Sequence, residues 1–138
     1  MTNFFRITID CFTKKYFYFQ SRSSRKEYVC FIFFCWCIGI FLSIIKDITH
    51  NRFFFIDIFD CIFFIYTLIP LITVTTRRLN DFNISGIFGI LVTITYITLL
   101  FFIGYRYIFV IIGLLITLFL MLKKGTPSTN KYGEPPTY

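Results

Sequence analysis

The stretch RRLNDFNISG, residues 77–86, puts two adjacent arginines, an aspartate and two asparagines into one short break between long apolar runs. Such a cluster can pair charges, hold an anion or organise neighbouring segments. Arg22, Arg25, Lys26, Arg77 and Arg78 can bind anionic lipid headgroups, which attract each nearby basic residue by about 1 kcal/mol. They can also act only as an orientation signal that stops the flanking segments from crossing a membrane. Orientation accounts for the basic residues, but less well for Glu27, Asp81, Asn130 and Tyr132. A second group, Asp57 and Asp60, sits three residues apart and so shares a helix face. Carboxylates deep in a membrane mark ion or proton paths. Near the start of a helix they also serve as interfacial anchors, because the N-terminal dipole favours negative charge.

Other chemistry is poorly represented. The five cysteines, Cys11, Cys30, Cys35, Cys37 and Cys61, lack C-x-x-C spacing. They read as small hydrophobes rather than a disulfide framework or a zinc site. The single histidine, His50, stands in a short polar break and reads as solvated. The sequence holds no G-x-S-x-G, H-E-x-x-H, P-loop or Rossmann glycine pattern. We expect no enzyme, no cofactor and no metal. No nucleic acid is expected as a partner, since no polar segment is long enough to build a folded basic surface.

The elements around these residues are those of a membrane protein. The 138 residues are 57% apolar, against about 45–50% for a soluble domain. The 21 Phe and the complete lack of Ala suggest compositional drift. The net charge of +7 is crowded into the breaks between uncharged runs. Four spans are expected, at about 28–45, 53–76, 86–103 and 108–122. Cys61–Thr76 alone would cover only about 24 Å, so the second helix should begin before Asp60. Gly104 and Arg106 mark the turn between the last two spans. Fused, these would form a helix far too long to cross once. A three-span alternative needs one of them to be re-entrant or interfacial.

Within the N-terminal cytoplasmic segment 1–27, residues 1–20 lack the apolar core of a signal peptide. Phe5, Ile9, Phe12 and Tyr16 recur at helical spacing, which predicts a short amphipathic helix on the membrane surface. Residues 123–138 form a polar tail, either disordered or folded back on the 77–86 loop. With four spans, eleven of the fourteen Lys and Arg lie on one side. The positive-inside rule makes that side the cytoplasm, with both termini in it. Two small-residue ridges, Cys35, Gly39, Ser43 and Ser85, Gly89, Thr93, are expected at helix contacts.

Three stretches taken together carry a resemblance. They are FQSRSSRKEYVCFIFF (19–34), PLITVTTRRLNDFNISG (70–86) and GTPSTNKYGEPP (125–136). They resemble the three signature blocks of the bacterial inner-membrane proteins grouped as domain of unknown function 805. Those blocks read roughly G-R-x-S-R-x-E-Y-W, then P-x(6)-R-R-L-H-D-x(3)-S-G, then N-x-Y-G-x-x-P. Arg22, Ser24, Arg25, Glu27 and Tyr28 match the first block. Arg77, Arg78, Leu79, Asp81, Ser85 and Gly86 match the second, and Asn130, Tyr132, Gly133 and Pro136 match the third. Ser21 replaces Gly, Val29 replaces Trp and Asn80 replaces His. Asn cannot titrate near neutral pH, which weakens any acid–base or metal role for the loop. The resemblance implies a small multi-pass membrane protein and no particular reaction.

The resulting expectation is an all-α membrane protein of four transmembrane helices with an N-terminal amphipathic surface helix. Its site is a cytoplasmic polar cluster of Arg22, Arg25, Glu27, Arg77, Arg78, Asp81, Asn130 and Tyr132. Glu27 should pair with Arg77 or Arg78. Asp81 should cap the next turn or accept from Arg22 or Arg25. Partners would be membrane lipids and either a membrane-protein partner or a second copy of the chain. The role is structural or interactive. The alternative is a small transporter or channel component with Asp57 and Asp60 in the path.

Overall fold

The computed structural model describes residues 4–49, 54–91, 93, 94 and 106–136. Four helices have defined bounds: α1 Phe4–Phe12, α2 Arg25–Ile48, α3 Phe54–Asn80 and α4 Arg106–Leu122. Residues 87–91 are also helical. No strand occurs among the described residues, and Asn130 and Gly133 form an isolated bridge.

α2 starts at Arg25 because Ser24 is its N-cap: the Ser24 side chain accepts from the Glu27 N–H at 3.1 Å. This is half of a capping box, S-x-x-E, whose acidic member faces elsewhere. The first long helix therefore begins three residues before Tyr28 and extends to Ile48, beyond the expected Ile45. α3 also outlasts its expected end at Thr76. Arg77, Arg78, Leu79 and Asn80 form its last turn, so the true connection is only residues 81–86. That turn stays helical because its side chains find partners on other segments. It stops where Asn83 enters the left-handed region at φ 61° and the Ile84 N–H returns to the Leu79 carbonyl at 3.1 Å. α4 includes Arg106, which was expected in the turn before it. The third span begins as helix at 87, but its body and Gly104 lie outside the described residues. So do His50 and Arg52.

Among the described residues two helices are long and apolar enough to cross a membrane, α2 and α3. At 1.5 Å per residue they measure about 36 and 40 Å, more than a hydrocarbon core of about 30 Å. Their burial is sharply divided. The buried positions are Glu27, Tyr28, Cys30, Phe31, Ile32 and Leu42 on α2, and Pro70 with Thr73 to Asn80 on α3. Beyond them the surface is apolar and exposed, as at Trp36, Ile40, Phe41, Phe55, Phe59 and Ile62. Only 6% of the most apolar stretch of α3 is buried within the chain. Lipid is the medium in which such a surface costs nothing. The packed core therefore sits at one end, built from Cys11, Tyr28, Phe31, Ile32, Val74, Leu79 and Leu120, and it joins all four helices.

α1 packs on α2 and α3. Ile7, Thr8 and Cys11 are buried, while Phe5 and Ile9 are exposed. Of the expected stripe, Phe5 and Ile9 thus point outward, while Phe12 packs against the core and Tyr16 is half-buried beside Tyr66. Proline explains part of the attachment. Pro70 lies inside α3 and has no N–H, so the Tyr66 carbonyl one turn earlier lacks its helical donor. The Tyr16 hydroxyl donates to that carbonyl at 2.9 Å, and the Tyr66 hydroxyl donates back to the Phe12 carbonyl at 3.2 Å.

The two small-residue ridges part company. A Cβ on Gly89 would stand 3.0 Å from the Thr76 backbone, so the helix starting at 87 approaches α3 closely. A Cβ on Gly39 would meet nothing within 4 Å, and Ser43 is exposed. In the first ridge Cys35 packs against the core, but Gly39 and Ser43 face outward, contrary to the expectation that they pack. Gly89→Leu should lower stability by about 1–3 kcal/mol through overpacking, whereas Gly39→Leu should leave it unchanged. Unfolding midpoints in detergent check this; equal effects would contradict the close approach at Gly89.

Candidate functional site

The charged end of the bundle is built by three segments that are distant in sequence. The turn 21–24 leads into α2, the last turn of α3 brings Arg77 to Asn80, and the tail 123–136 folds across both. Backbone bonds set the frame. The Ser23 N–H donates to the Arg77 carbonyl at 3.0 Å, and the Thr126 N–H donates to the Asp81 carbonyl at 3.0 Å.

Two buried ionic groups sit on this frame. In the first, the Arg77 Nη1 lies 2.5 Å from the Glu27 Oε1, with both side chains 1% exposed. Lys15 reaches the same oxygen at 3.0 Å. The Cys11 thiol donates to it at 3.6 Å. Burial, and after it the Glu27 charge, pushes the Cys11 thiol up to about 12, while Arg77 and Lys15 pull the other way. In the second group, Asp81 bridges two arginines. Its Oδ1 is 2.7 Å from the Arg22 Nη2, and its Oδ2 is 2.6 Å from the Arg78 Nη1. All three side chains are at most 4% exposed.

The remaining arginine donors go to backbone carbonyls. Arg78 donates to Leu120 at 2.9 Å, to Ser23 at 3.2 Å and to Lys123. Leu120 lies in the last turn of α4, so Arg78 also caps the carbonyl end of that helix. Arg22 donates to Ser128 at 2.8 Å, to Gly133 at 3.2 Å and to Thr126. Asn80 donates to the carbonyls of Phe19 and Ser21 at 3.0 and 3.1 Å. An amide at this position therefore works as a bracket for residues 19–21. Within the same region the Glu27 Oε2, Arg77 Nε and Asn80 Oδ1 are buried with no hydrogen-bond partner.

The tail has its own fold. The Asn130 side chain donates to the Asn80 carbonyl at 3.0 Å, and its Oδ1 accepts from the Tyr132 N–H at 2.9 Å. Gly133 completes the turn at φ 113°, where a side chain would be strained. Gly125 is needed for a different reason: a Cβ there would lie 1.7 Å from the Asp81 Oδ2.

Six of the eight expected cluster residues thus meet: Arg22, Glu27, Arg77, Arg78, Asp81 and Asn130. Glu27 takes Arg77, and Asp81 takes Arg22 and Arg78. The Asp81 side chain serves as an ion-pair hub and does not cap the following turn. Arg25 is exposed and outside the buried network, and Tyr132 enters through its backbone N–H. Residues that sequence reasoning passed over are Cys11, Lys15, Ser23, Thr126 and Gly125. The S-x-x-E pattern at 24–27 was the one local signal that fixes the start of α2. At the opposite end, Lys46 lies 3.1 Å from Asp57 and 2.5 Å from Asp60. The side chains of Asp57 and Asp60 are 50% and 42% exposed.

These features define a helical protein with apolar outer surfaces and a charge network locked into one end. The family described as "Protein of unknown function (DUF805)" matches residues 16–134, and the chain belongs to it. It is similar to the inner membrane protein YhaI of Escherichia coli strain K12, with 27% identity over 125 residues and 91% of each chain covered. The YhaI protein of Escherichia coli O157:H7 matches to the same extent. No solved structure matches.

The network makes specific demands on mutation. Glu27→Gln and Arg77→Gln should each cost about 3–5 kcal/mol, the range for breaking a buried pair. The double variant should cost less than their sum, while Glu27→Gln with Arg78→Gln should come closer to additive. Unfolding in detergent measures both cycles, and additivity of the first would contradict the contact. Cys11 offers a pH test. With its thiol raised to about 12, Cys11 should hold far less thiolate at pH 8 than an exposed cysteine, and the fraction should grow as pH rises toward 12. Iodoacetamide should therefore label Cys11 slowly in the folded chain and readily after denaturation, as read by mass spectrometry. Equal rates would refute the assignment.

Proposed function

We propose that the chain is a bacterial inner-membrane protein that crosses the bilayer four times, with both termini in the cytoplasm. Its role on this reading is structural or interactive rather than catalytic. The charged end is a rigid cytoplasmic cap that presents the membrane face to lipid headgroups or to a protein partner.

The observation that carries this reading is the convergence of chain segments at one end. The N-terminal segment enters there, α2 leaves from it and α3 returns to it. The helix starting at 87 leaves again, and α4 ends there with the tail. Such a path calls for an even number of crossings. α4, at about 26 Å, approaches the length needed to span. Eleven of the fourteen basic residues belong to this end, which favours the cytoplasm. The family membership and the inner-membrane relatives support the location. The exposed Phe5 and Ile9 of α1 support its dipping into the interface beside α2.

The transporter alternative would use Asp57 and Asp60. Their joint pairing with Lys46 and their exposure favour an anchor at the outer end of α2 and α3, where water and one lysine already solvate the two carboxylates.

Reporter fusions test the topology. A cytoplasm-active reporter after Tyr138 should be active and a periplasm-active one silent; the reverse would overturn the four-span reading. Deleting residues 125–138 should also expose Arg22 and Arg78 and lower the unfolding midpoint. An unchanged midpoint would remove the tail from the cap.

A further inference from the structure

α1 and the turn after it meet three surroundings at once. The first is lipid. Phe5, Ile9, Phe17 and Tyr18 are 66, 58, 70 and 54% exposed. The Phe4 ring meets the exposed Phe33 of α2 at 6.1 Å, so this face continues the apolar surface of the spans. The rings of Phe12 and Phe31 lie 5.3 Å apart. At 1.5 Å per residue, Phe31 and Phe33 stand about 5–8 Å past Tyr28, where the uncharged run begins. That is the depth at which an amphipathic helix seats its apolar face among the upper acyl chains. Lys14 pairs with Asp10 at 3.4 Å and Lys15 with Glu27 at 3.0 Å, so apolar contact more than charge sets the seat.

The second contact is the proline gap in α3. The Tyr66 carbonyl lacks its helical donor, because Pro70 has no N–H. A membrane helix tolerates such a gap where a neighbour satisfies the carbonyl. Here the Tyr16 hydroxyl donates to it at 2.9 Å, and the Thr73 hydroxyl donates to the Tyr16 carbonyl at 2.9 Å. The Phe12 ring stacks on Tyr66 with centroids 5.7 Å apart. Tyr66 is 48% exposed, so this cover lies at the lipid boundary and not in the core. The third contact is the Glu27 carboxylate, which Lys15 and Cys11 share with Arg77. One short segment thus joins the leaflet, the break in α3 and a buried ion pair.

We infer that residues 4–18 act as a lipid-seated strap over the proline gap of α3, with the acyl chains of the adjoining leaflet as its partner. With the outer face seated, Tyr16 covers the Tyr66 carbonyl and Lys15 stays on Glu27. When the leaflet no longer holds that face, the strap lifts, the carbonyl loses its donor and α3 is free to bend at Pro70. Seating in lipid and closing of the gap are then coupled, and each strengthens the other. The inference rests on the proposed dipping of α1 into the interface, and it holds whichever side of the membrane the cap occupies.

The test uses the full chain in nanodiscs of dioleoyl or palmitoyl-oleoyl phosphatidylcholine, which differ in chain packing and little in thickness. Trypsin cleavage after Lys14 and Lys15 reads the lifted strap. Maleimide labelling of Cys11, on the buried face of α1, reads it independently. Cleavage after Lys131 in the tail controls for general loosening. Tyr16→Phe should speed strap cleavage about fivefold, through loss of one hydrogen bond. In a Pro70→Ala chain, where the N–H is restored, the same change should have little effect. Phe5→Ser with Ile9→Ser should speed cleavage about tenfold or more, by taking two large apolar side chains out of lipid, and should speed Cys11 labelling with it. Wild-type cleavage should be slower in dioleoyl discs, whose looser packing admits the outer face. An equal Tyr16→Phe effect in both backgrounds, equal rates in both lipids, or a parallel rise at Lys131 would overturn the strap. Phe5→Trp in a Trp36→Phe chain, probed with acyl-brominated lipid, separates the two levels. No quenching removes the seat itself, whereas quenching with any of those three results removes the strap and leaves the seat.

Discussion

A buried guanidinium must be answered on every side, and that demand organises this molecule. Arg22, Arg77 and Arg78 are all 6% exposed or less. Bare charge in such a place costs several kcal/mol per ion even after relaxation. Two carboxylates, Glu27 and Asp81, supply the opposite charge. They are too few for the three arginines and Lys15. The excess is met by carbonyl oxygens, and this is why the chain must bring so many segments to one point. Arg22 needs the tail and Arg78 needs the end of α4. The network thus specifies the topology: each arginine is satisfied only when segments far apart in sequence have arrived.

The division of α2 and α3 into a buried end and an exposed apolar end follows from the same demand. Packing in lipid gains little from burying Leu or Phe, because the surroundings are equally apolar. Cohesion between the helices must therefore also come from close contacts such as Gly89 on Thr76. At the charged end, by contrast, polar groups are sealed by apolar ones. Tyr28, Phe31, Val74 and Leu120 form the core beside the ion pairs. The ion pairs keep water out of nothing by themselves; the core does that, and thereby strengthens them. Three polar atoms, on Glu27, Arg77 and Asn80, remain without partners, so the network is not completely satisfied.

Much of this was legible in the sequence, though unevenly. Charge clustering and apolar run lengths pointed to membrane-crossing helices, because those signals depend only on composition. The meeting of the three signature blocks was expected from an even number of spans; Glu27 was narrowed to Arg77 or Arg78, whereas Asp81 was given a cap role or Arg22 or Arg25, and its second partner Arg78 was not foreseen. What was not legible has physical causes. Arg77–Asn80 reads as a loop because it is polar, but tertiary partners keep it helical. α1 meets α2 and α3 through Ile7, Thr8 and Cys11 while Phe5 and Ile9 stay exposed, a division that hydrophobic periodicity alone does not specify. Gly39 and Gly89 carry the same spacing signal, and only the position of Thr76 separates them. The Tyr16 link to Tyr66 arises from the missing N–H of Pro70, which the sequence states but whose remedy it does not name.

The placement of charge also agrees with the helix ends that gather at the cap. Glu27 stands in the first turn of α2, where a negative charge faces the positive end of the dipole. Arg77 and Arg78 stand in the last turn of α3, where positive charge is favoured. Arg78 further donates to the final carbonyls of α4, so one guanidinium serves the negative ends of two helices. Each ion is therefore stabilised by backbone as well as by its partner. Lysine could not replace Arg78: its ammonium is a point charge with three donors, and it cannot span Asp81, Ser23, Leu120 and Lys123 at once. The planar fork is required because the acceptors belong to an aspartate, a turn and a helix end that reach it from different directions. That geometric requirement, more than the sign of the charge, explains why this end of the bundle carries arginines at 22, 77 and 78 and leaves its lysines to the rim.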